Sequence, residues 1–223
     1  MEKIKWGIIG PGSIANNFAD GLTSSYSGQL VGIASKSDDR RKSFGDKYDV
    51  HEDFRFDSYD DIINSEHIDA IYISTPHTLH AEWTIKAAGK GKHVLCDKPL
   101  ALKAGDCKEM LDAAEKAGVI HCTNFNQRGN TMVGRIKRYI NDDFIGRIYH
   151  ANLWWGMSHQ YDARPETLSW RFRSENGGGS VYELIHVFDM LRFINGEVKR
   201  VVASFDTTNV RRLTADKPEG IEV

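Results

Sequence analysis

The sequence predicts an α/β protein, a doubly wound parallel sheet followed by an incomplete α+β domain, and three observations predict it. Short apolar runs alternate with amphipathic segments from Lys3 to Thr123, a glycine-rich turn closes the first run, and the alternation breaks off after Phe125. Alternating strands and helices are the pattern of βαβ units, which build a parallel sheet covered by helices.

Strands are expected over Ile4–Ile9, Leu30–Ala34, Ala70–Ile73, His93–Cys96 and Val119–Thr123, each a short apolar or β-branched run. Ile14, Phe18 and Leu22 recur at helical spacing after the first strand. Cys107, Met110, Leu111 and Ala114 do the same before the last, with Gly118 placed to stop that helix. Ser58, followed by Asp61, is a capped start for the helix that carries Ile62 and Ile63. These elements make a first domain of residues 1–123.

Residues 124–223 read differently. A helix with Val133, Ile136 and Ile140 on one side leads to a strand expected over Arg147–Trp155, and then to a polar, irregular stretch from Gly156 to Asn176. The triplet Gly177 to Gly179 precedes a helix over Ser180–Phe193, and period-two alternation predicts a strand over Val198–Thr207. Two strands and two helices close no domain, because a short sheet with open edges is marginal in water. The chain is therefore expected to stop before its second sheet is complete.

Composition excludes several classes. The 223 residues are 40% hydrophobic and 27% charged, as in an ordinary globular protein, and no run approaches the ~20 apolar residues of a membrane span. Lys and Arg number 29 against 31 Asp and Glu, so the net charge of −2 offers no footprint for nucleic acid. Met1-Glu2-Lys3 runs straight into a strand with no apolar export segment. Cys96, Cys107 and Cys122 fit neither a redox pair nor a zinc site and read as reduced thiols, the first two packed in the core, so a cytoplasmic protein is expected.

The chemistry begins at Gly10-Pro11-Gly12-Ser13-Ile14-Ala15, directly after the first strand and opening the first helix. That context turns a weak pattern into the fingerprint of a Rossmann dinucleotide-binding domain. Gly10 permits the tight turn, and Gly12 leaves room for a pyrophosphate against the backbone. Ala15 lets helix and strand pack closely, and the helix N-terminus at Ser13 and Ile14 faces the anion. A merely tight turn is the bland alternative.

An NAD-binding domain usually carries an acid at the end of the second strand, where this chain has Ala34-Ser35-Lys36-Ser37. A hydroxyl at Ser35 and a cation at Lys36 welcome a 2′-phosphate that a carboxylate would repel, so NADP is favoured, with NAD as the other candidate. Alternatively the segment is a solvated turn in which Ser37 caps the next helix. Two further loops, Ser74-Thr75-Pro76-His77 and Cys96-Asp97-Lys98-Pro99, follow strands at the carboxyl edge, where open α/β sheets bind ligands. Thr75, Pro76, His80, Asp97 and Lys98 are thus cofactor-facing candidates. His77 and His80 alone are too few for a metal site, and no metal is assigned.

The glycine turn, Ser74-Thr75-Pro76 with His80, Asp97-Lys98-Pro99 and a glycine run leading to His186 together resemble the Gfo/Idh/MocA oxidoreductases, over essentially the whole chain. In that family the lysine of a Glu-Lys-Pro motif lies near the nicotinamide and the reacting hydroxyl, which implies that role for Lys98, with Asp97 in place of the glutamate. The family's second-domain helix carries an acid and a histidine that reach the substrate. Here they are Glu183 and His186, three residues apart on one helical face. Many members place the acid one residue earlier, where this chain has Tyr182.

An imidazole of ordinary pKa about 6.5 can take the hydroxyl proton, so His186 is the expected base. Lys98 would steady the developing alkoxide, and Glu183 would bind a neighbouring hydroxyl or orient the histidine. The alternative is a surface helix whose polar face is Glu183, His186 and Asp189. Trp154, Trp155 and Trp170, with Tyr161 and Arg171, offer platforms for a sugar ring, and core packing is an equal reading for at least one tryptophan. Asn126 and Arg128 follow the last strand, where chains of the family cross between domains. The resemblance implies hydride transfer between a nicotinamide and a sugar, polyol or related small molecule, and a homo-oligomer at full length. A glycosidase that oxidises its sugar transiently and a non-catalytic dinucleotide sensor are the competing readings.

Overall fold

The computed structural model describes residues 2–156, 184–204, 206, 211–214 and 217–222. The chain divides into two compact units, Met1–Asn124 and Phe125–Val223.

Six parallel strands form the sheet of the first unit: β1 (Ile4–Ile9), β2 (Gly28–Ala34), β3 (Arg55–Phe56), β4 (Ala70–Ile73), β5 (His93–Cys96) and β6 (His121–Thr123). Their order is β3-β2-β1-β4-β5-β6. Helices α1 (Ser13–Thr23), α2 (Asp38–Lys47), α3 (Tyr59–Asn64), α4 (His80–Gly89) and α5 (Ala104–Ala117) make the crossovers. This is the doubly wound Rossmann arrangement, and the order reverses between β1 and β4, which opens a crevice at the carboxyl ends of those strands.

Side chains that alternate along each strand supply two cores. Ile8, Ile33 and Tyr72 pack with Ala15, Ala19 and Phe44 on one face. Ile9, Ile71 and Ile73 pack with Ile62, Ile63, Trp83 and Met110 on the other. Neighbours in the chain, Ile8 and Ile9, thus belong to opposite cores, as period two requires. Every residue of β4 is buried, so its sequence Ala-Ile-Tyr-Ile is nearly continuous in apolarity rather than alternating.

Local signals set the helix ends. Ser58 accepts a hydrogen bond from the Asp60 amide at the start of α3, and Gly118 ends α5 in the left-handed region at φ 67°. Strand β3, two residues long at the sheet edge, is too short for any periodicity to reveal.

In the second unit α6 (Thr131–Asn141) and α7 (Ile185–Asn195) accompany an antiparallel pair, β7 (Arg211–Thr214) and β8 (Lys217–Glu222). The side chain of Asn130 caps α6 by accepting from the Met132 amide. The strands expected over Arg147–Trp155 and Val198–Thr207 are not formed among the described residues. Trp154 is 97% exposed and Val202 94%, so among the described residues these positions have no neighbour for the alternation to pack against. Among the described residues no helix is long and apolar enough to cross a membrane.

Met110 joins α5 to the sheet and is fully buried among Ile, Val and Trp side chains. Met110→Ala is expected to destabilise the first unit by about 2–5 kcal/mol, read as a lowered urea midpoint at unchanged slope.

Candidate active site

The turn after β1 is held by a close approach to the end of β4. Gly10 has φ +84°, and a Cβ there would lie 3.0 Å from Thr75 Cγ2 and 3.1 Å from the Thr75 amide nitrogen. Both the backbone conformation and the space therefore require glycine. The Gly10 amide donates to the Ala34 carbonyl at 3.1 Å, and the Ser74 hydroxyl donates to the Gly10 carbonyl at 2.9 Å, tying the ends of β1, β2 and β4 together.

Gly12 differs: the nearest atom to an added Cβ is the Gly10 carbonyl oxygen at 3.9 Å, so a side chain would project into open space before α1. Helix α1 begins with no side-chain cap and no acid in its first turn, whereas α2 and α3 each have a serine cap and two acids. The first-turn amides of Ser13, Ile14 and Ala15 are thus left without the usual local acceptor, in the arrangement that suits an anion. Ala15 is fully buried and lets α1 lie close on the sheet. These features fit the pyrophosphate of a dinucleotide.

At the tip of β2, Ser35 is buried and its hydroxyl oxygen accepts from the Ser37 amide at 3.2 Å, while Arg41 donates to the Ser35 carbonyl at 2.8 Å. Ser37 caps α2, as one reading of the sequence held. Lys36 is nevertheless exposed, with its ammonium 5.8 Å from the centre of the Tyr59 ring. Burial pushes the Tyr59 phenol upward in pKa, against the charge of Arg40, so Lys36, Arg40 and Tyr59 share one corner of the carboxyl edge.

The loops after β4 and β5 complete that edge. Thr75 is buried with its hydroxyl unpartnered, and Pro76 is exposed beside it. Lys98 is half-buried and precedes a cis bond to Pro99. Burial pushes the Asp97 carboxyl above its ordinary pKa, opposed by the Lys98 amide and charge, by His80 and by the Asn124 amide. His80 is fully buried, with Nε2 2.9 Å from the Thr75 carbonyl oxygen and Nδ1 2.9 Å from that of Pro99. Burial pushes its pKa below the ordinary histidine value, and the two carbonyls and Asp97 pull the other way. Both ring nitrogens are engaged inside the protein, between the Thr75 and Pro99 carbonyls.

Two polar groups here escaped sequence reasoning. The Asn124 amide donates to the Tyr72 hydroxyl at 3.1 Å and to Asp97 at 3.3 Å. The signal was Tyr72 itself, a hydroxyl in a fully buried strand that needs a partner.

In the second unit His186 and Asp189 lie one turn apart on α7, and both are buried. Arg128 donates to both carboxylate oxygens of Asp189, from Nε at 2.9 Å, and its guanidinium lies 5.1 Å from the Phe193 ring centre. Asp189 therefore anchors Arg128 instead of forming a solvated helix face. Trp155 is 39% exposed, near neither extreme. Glu183, Gly177 to Gly179, Tyr161, Trp170, Arg171 and Tyr182 lie outside the described residues.

Comparison with known proteins decides the family. The model of the oxidoreductase family with an NAD-binding Rossmann fold matches residues 4–125, and that of the GFO/IDH/MocA C-terminal domain matches residues 133–219. The chain belongs to the GFO/IDH/MocA oxidoreductase family. It is 33% identical over 192 residues to 1,5-anhydro-D-fructose reductase of Ensifer adhaerens, covering 85% of this chain and 56% of that protein. It is 38% identical over 149 residues to levoglucosan dehydrogenase of Pseudarthrobacter phenanthrenivorans, covering 66% of this chain and 38% of the relative. The WlbA dehydrogenase of Bordetella pertussis, solved in complex with NADH and UDP-GlcNAcA, superposes with TM-score 0.75 at 28% identity, covering 87% of this chain and 56% of that one. The chain spans about half the length of the first of these relatives. The family expectation drawn from the motifs is thereby borne out, and the first unit is an NAD(P)-binding domain.

The two glycines of this GFO/IDH/MocA turn should respond differently to substitution. Gly10→Ala forces a side chain into the left-handed region and against Thr75, and is expected to cost about 1–3 kcal/mol of stability by denaturant titration. Gly12→Val should keep the wild-type midpoint yet lose NADPH binding, measured by the cofactor's fluorescence, because its side chain fills the pyrophosphate space.

Proposed function

We propose that the protein transfers a hydride between a nicotinamide and a hydroxyl or keto carbon of a sugar, polyol or related small molecule. The observation that carries this reading is the assembly, at one carboxyl edge, of the Gly10–Gly12 turn, the Thr75–Pro76 loop and the Asp97–Lys98 turn around the β1/β4 reversal. The relatives' names, a reductase of an anhydro-sugar and a dehydrogenase of another, support the substrate class.

In this reading Gly10, Gly12, Ser13, Ile14 and Ala15 hold the pyrophosphate, and Ser35 and Lys36 meet the adenosine ribose. Thr75, Pro76, Asp97 and Lys98 lie on the nicotinamide side. A bound nicotinamide supplies the two-electron chemistry at carbon. Lys98, a compact cation with rotatable donors, holds the reacting oxygen and stabilises negative charge that develops on it. Asp97 turns the backbone that presents Lys98 and places a carboxyl below it. His186 takes the hydroxyl proton in oxidation and returns it in reduction, and Glu183 engages a neighbouring hydroxyl.

NADP is the preferred cofactor. No carboxylate stands at the end of β2, Lys36 is exposed there, and Arg40 shares its corner. A 2′-phosphate at that tip would make charge-assisted contacts that the ribose hydroxyl of NAD does not.

Turnover is tested first with 1,5-anhydro-D-fructose and then with a panel of sugars and polyols, following NADPH absorbance. Lys98→Ala and His186→Ala should each lower kcat by about a hundredfold or more on the accepted substrate. Wild-type turnover in both would refute the reading. Lys36→Asp should shift the ratio of NADPH to NADH affinity towards NADH by about tenfold or more, and an unchanged ratio would refute the preference for NADP.

A further inference from the structure

The β4–β5 ladder ends at the Ile73–Cys96 register, and the last backbone rung beyond it is the Asp97 amide donating to the Ile73 carbonyl at 2.8 Å. Past that rung the two strands run into separate loops, one holding Thr75 and Pro76 and the other Lys98 and Pro99. His80 supplies the next connection. Its ring stands between the loops, with one nitrogen 2.9 Å from the Thr75 carbonyl oxygen and the other 2.9 Å from the Pro99 carbonyl oxygen. A carbonyl oxygen only accepts and a neutral imidazole carries one N–H, so the neutral ring donates to one of the two carbonyls and faces the other with its second nitrogen, and it donates to both only when protonated. An imidazole is the side chain whose two nitrogens can face acceptors on opposite sides. A primary amide carries both its donors on one nitrogen and cannot span them. The ring is fully buried at the start of α4, so the rigid helix behind it fixes its position.

We propose that His80 is a positioning residue: from beneath, it fastens the turn that carries Lys98 to the turn that carries Thr75, and so sets where the Lys98 ammonium stands, while touching neither dinucleotide nor substrate. This rests on the reading of Lys98 as the group that holds the reacting oxygen. Displacing such a group by about 1 Å can cost a hundredfold in rate, so a clamp one layer below the chemistry acts mainly on kcat.

The test is a double-mutant cycle between His80→Gln and Lys98→Ala on the accepted sugar, with hydrogen exchange of the same proteins as a readout independent of turnover. His80→Gln should lower kcat about 10- to 100-fold while the NADPH Kd stays within about threefold, and should cost nothing further in the Lys98→Ala background. Exchange should quicken together in the peptides that contain Thr75 and Lys98. An equal fold-loss in both backgrounds, a loss confined to NADPH affinity, or unchanged exchange in either peptide would overturn the clamp. Wild-type turnover in Lys98→Ala alone would instead overturn the role of Lys98, and the exchange result would still decide whether His80 joins the loops. Should His80→Gln not fold, His80→Asn enters the same cycle.

Discussion

Everything at the candidate site depends on how closely the carboxyl ends of β1 and β4 approach. A Cβ at Gly10 would sit 3.0 Å from the Thr75 side chain, so the turns that leave the two strands approach more tightly than a side chain at Gly10 would ordinarily allow. That contact fixes the direction in which the chain leaves β1, and hence where the first turn of α1 points. It also places Thr75 at the mouth of the crevice made by the reversal of strand order. In a doubly wound sheet the ligand sits at that crevice, so one steric constraint positions both the anion-facing turn and the first residue of the facing loop. The Ser74 hydroxyl on the Gly10 carbonyl then holds the pair in register.

The way the helices begin shows how charge is managed along the same edge. Helices α2 and α3 satisfy their own N-termini with serine caps and acids in the first turn, while α1 has neither. Uncapped amides and an unbalanced dipole cost roughly 1 kcal/mol in helix stability, which the packing of Ala15 and Ala19 against the sheet must offset. Stability is given up where a ligand would recover it. The net charge of −2 over the whole chain hides this, because the relevant electrostatics are local: a helix end, Lys36 and Lys98 on one edge.

Much of the first unit was legible in the sequence because two independent signals coincide there. The apolar runs that became β1, β4 and β5 are bounded by turn residues, and the glycine pattern falls between a strand and a helix. β3 was not legible, since a two-residue edge strand has no period. The Asn124–Tyr72–Asp97 contacts were not either, for they join residues 27 and 52 positions apart that only the sheet brings together. His80 was legible as a motif residue but not in its place: the sequence could mark it without showing that both nitrogens are engaged below the loops. In the second unit the alternation around Trp154 and Val202 looked like strand. A strand, however, is a pairing property as much as a local one, and those segments have no described partner.

The polar groups under the Lys98 turn show why the loops need more than backbone ladders. Burying a carboxylate costs several kcal/mol unless partners meet it, and Asp97 is met by the Lys98 amide and charge, by His80 and by Asn124. An apolar filling of the same space would pack as stably, but it would let the loop settle in several ways, because apolar contacts carry little direction. Hydrogen bonds to named acceptors do not. Asn124 directly follows β6, Tyr72 comes from β4 and His80 from the start of α4, so the turn that presents Lys98 is referred to two strands of the sheet and to a helix packed on it. A loop specified by direction in this way can hold a cation where a reaction needs it, while its surface stays open to a ligand.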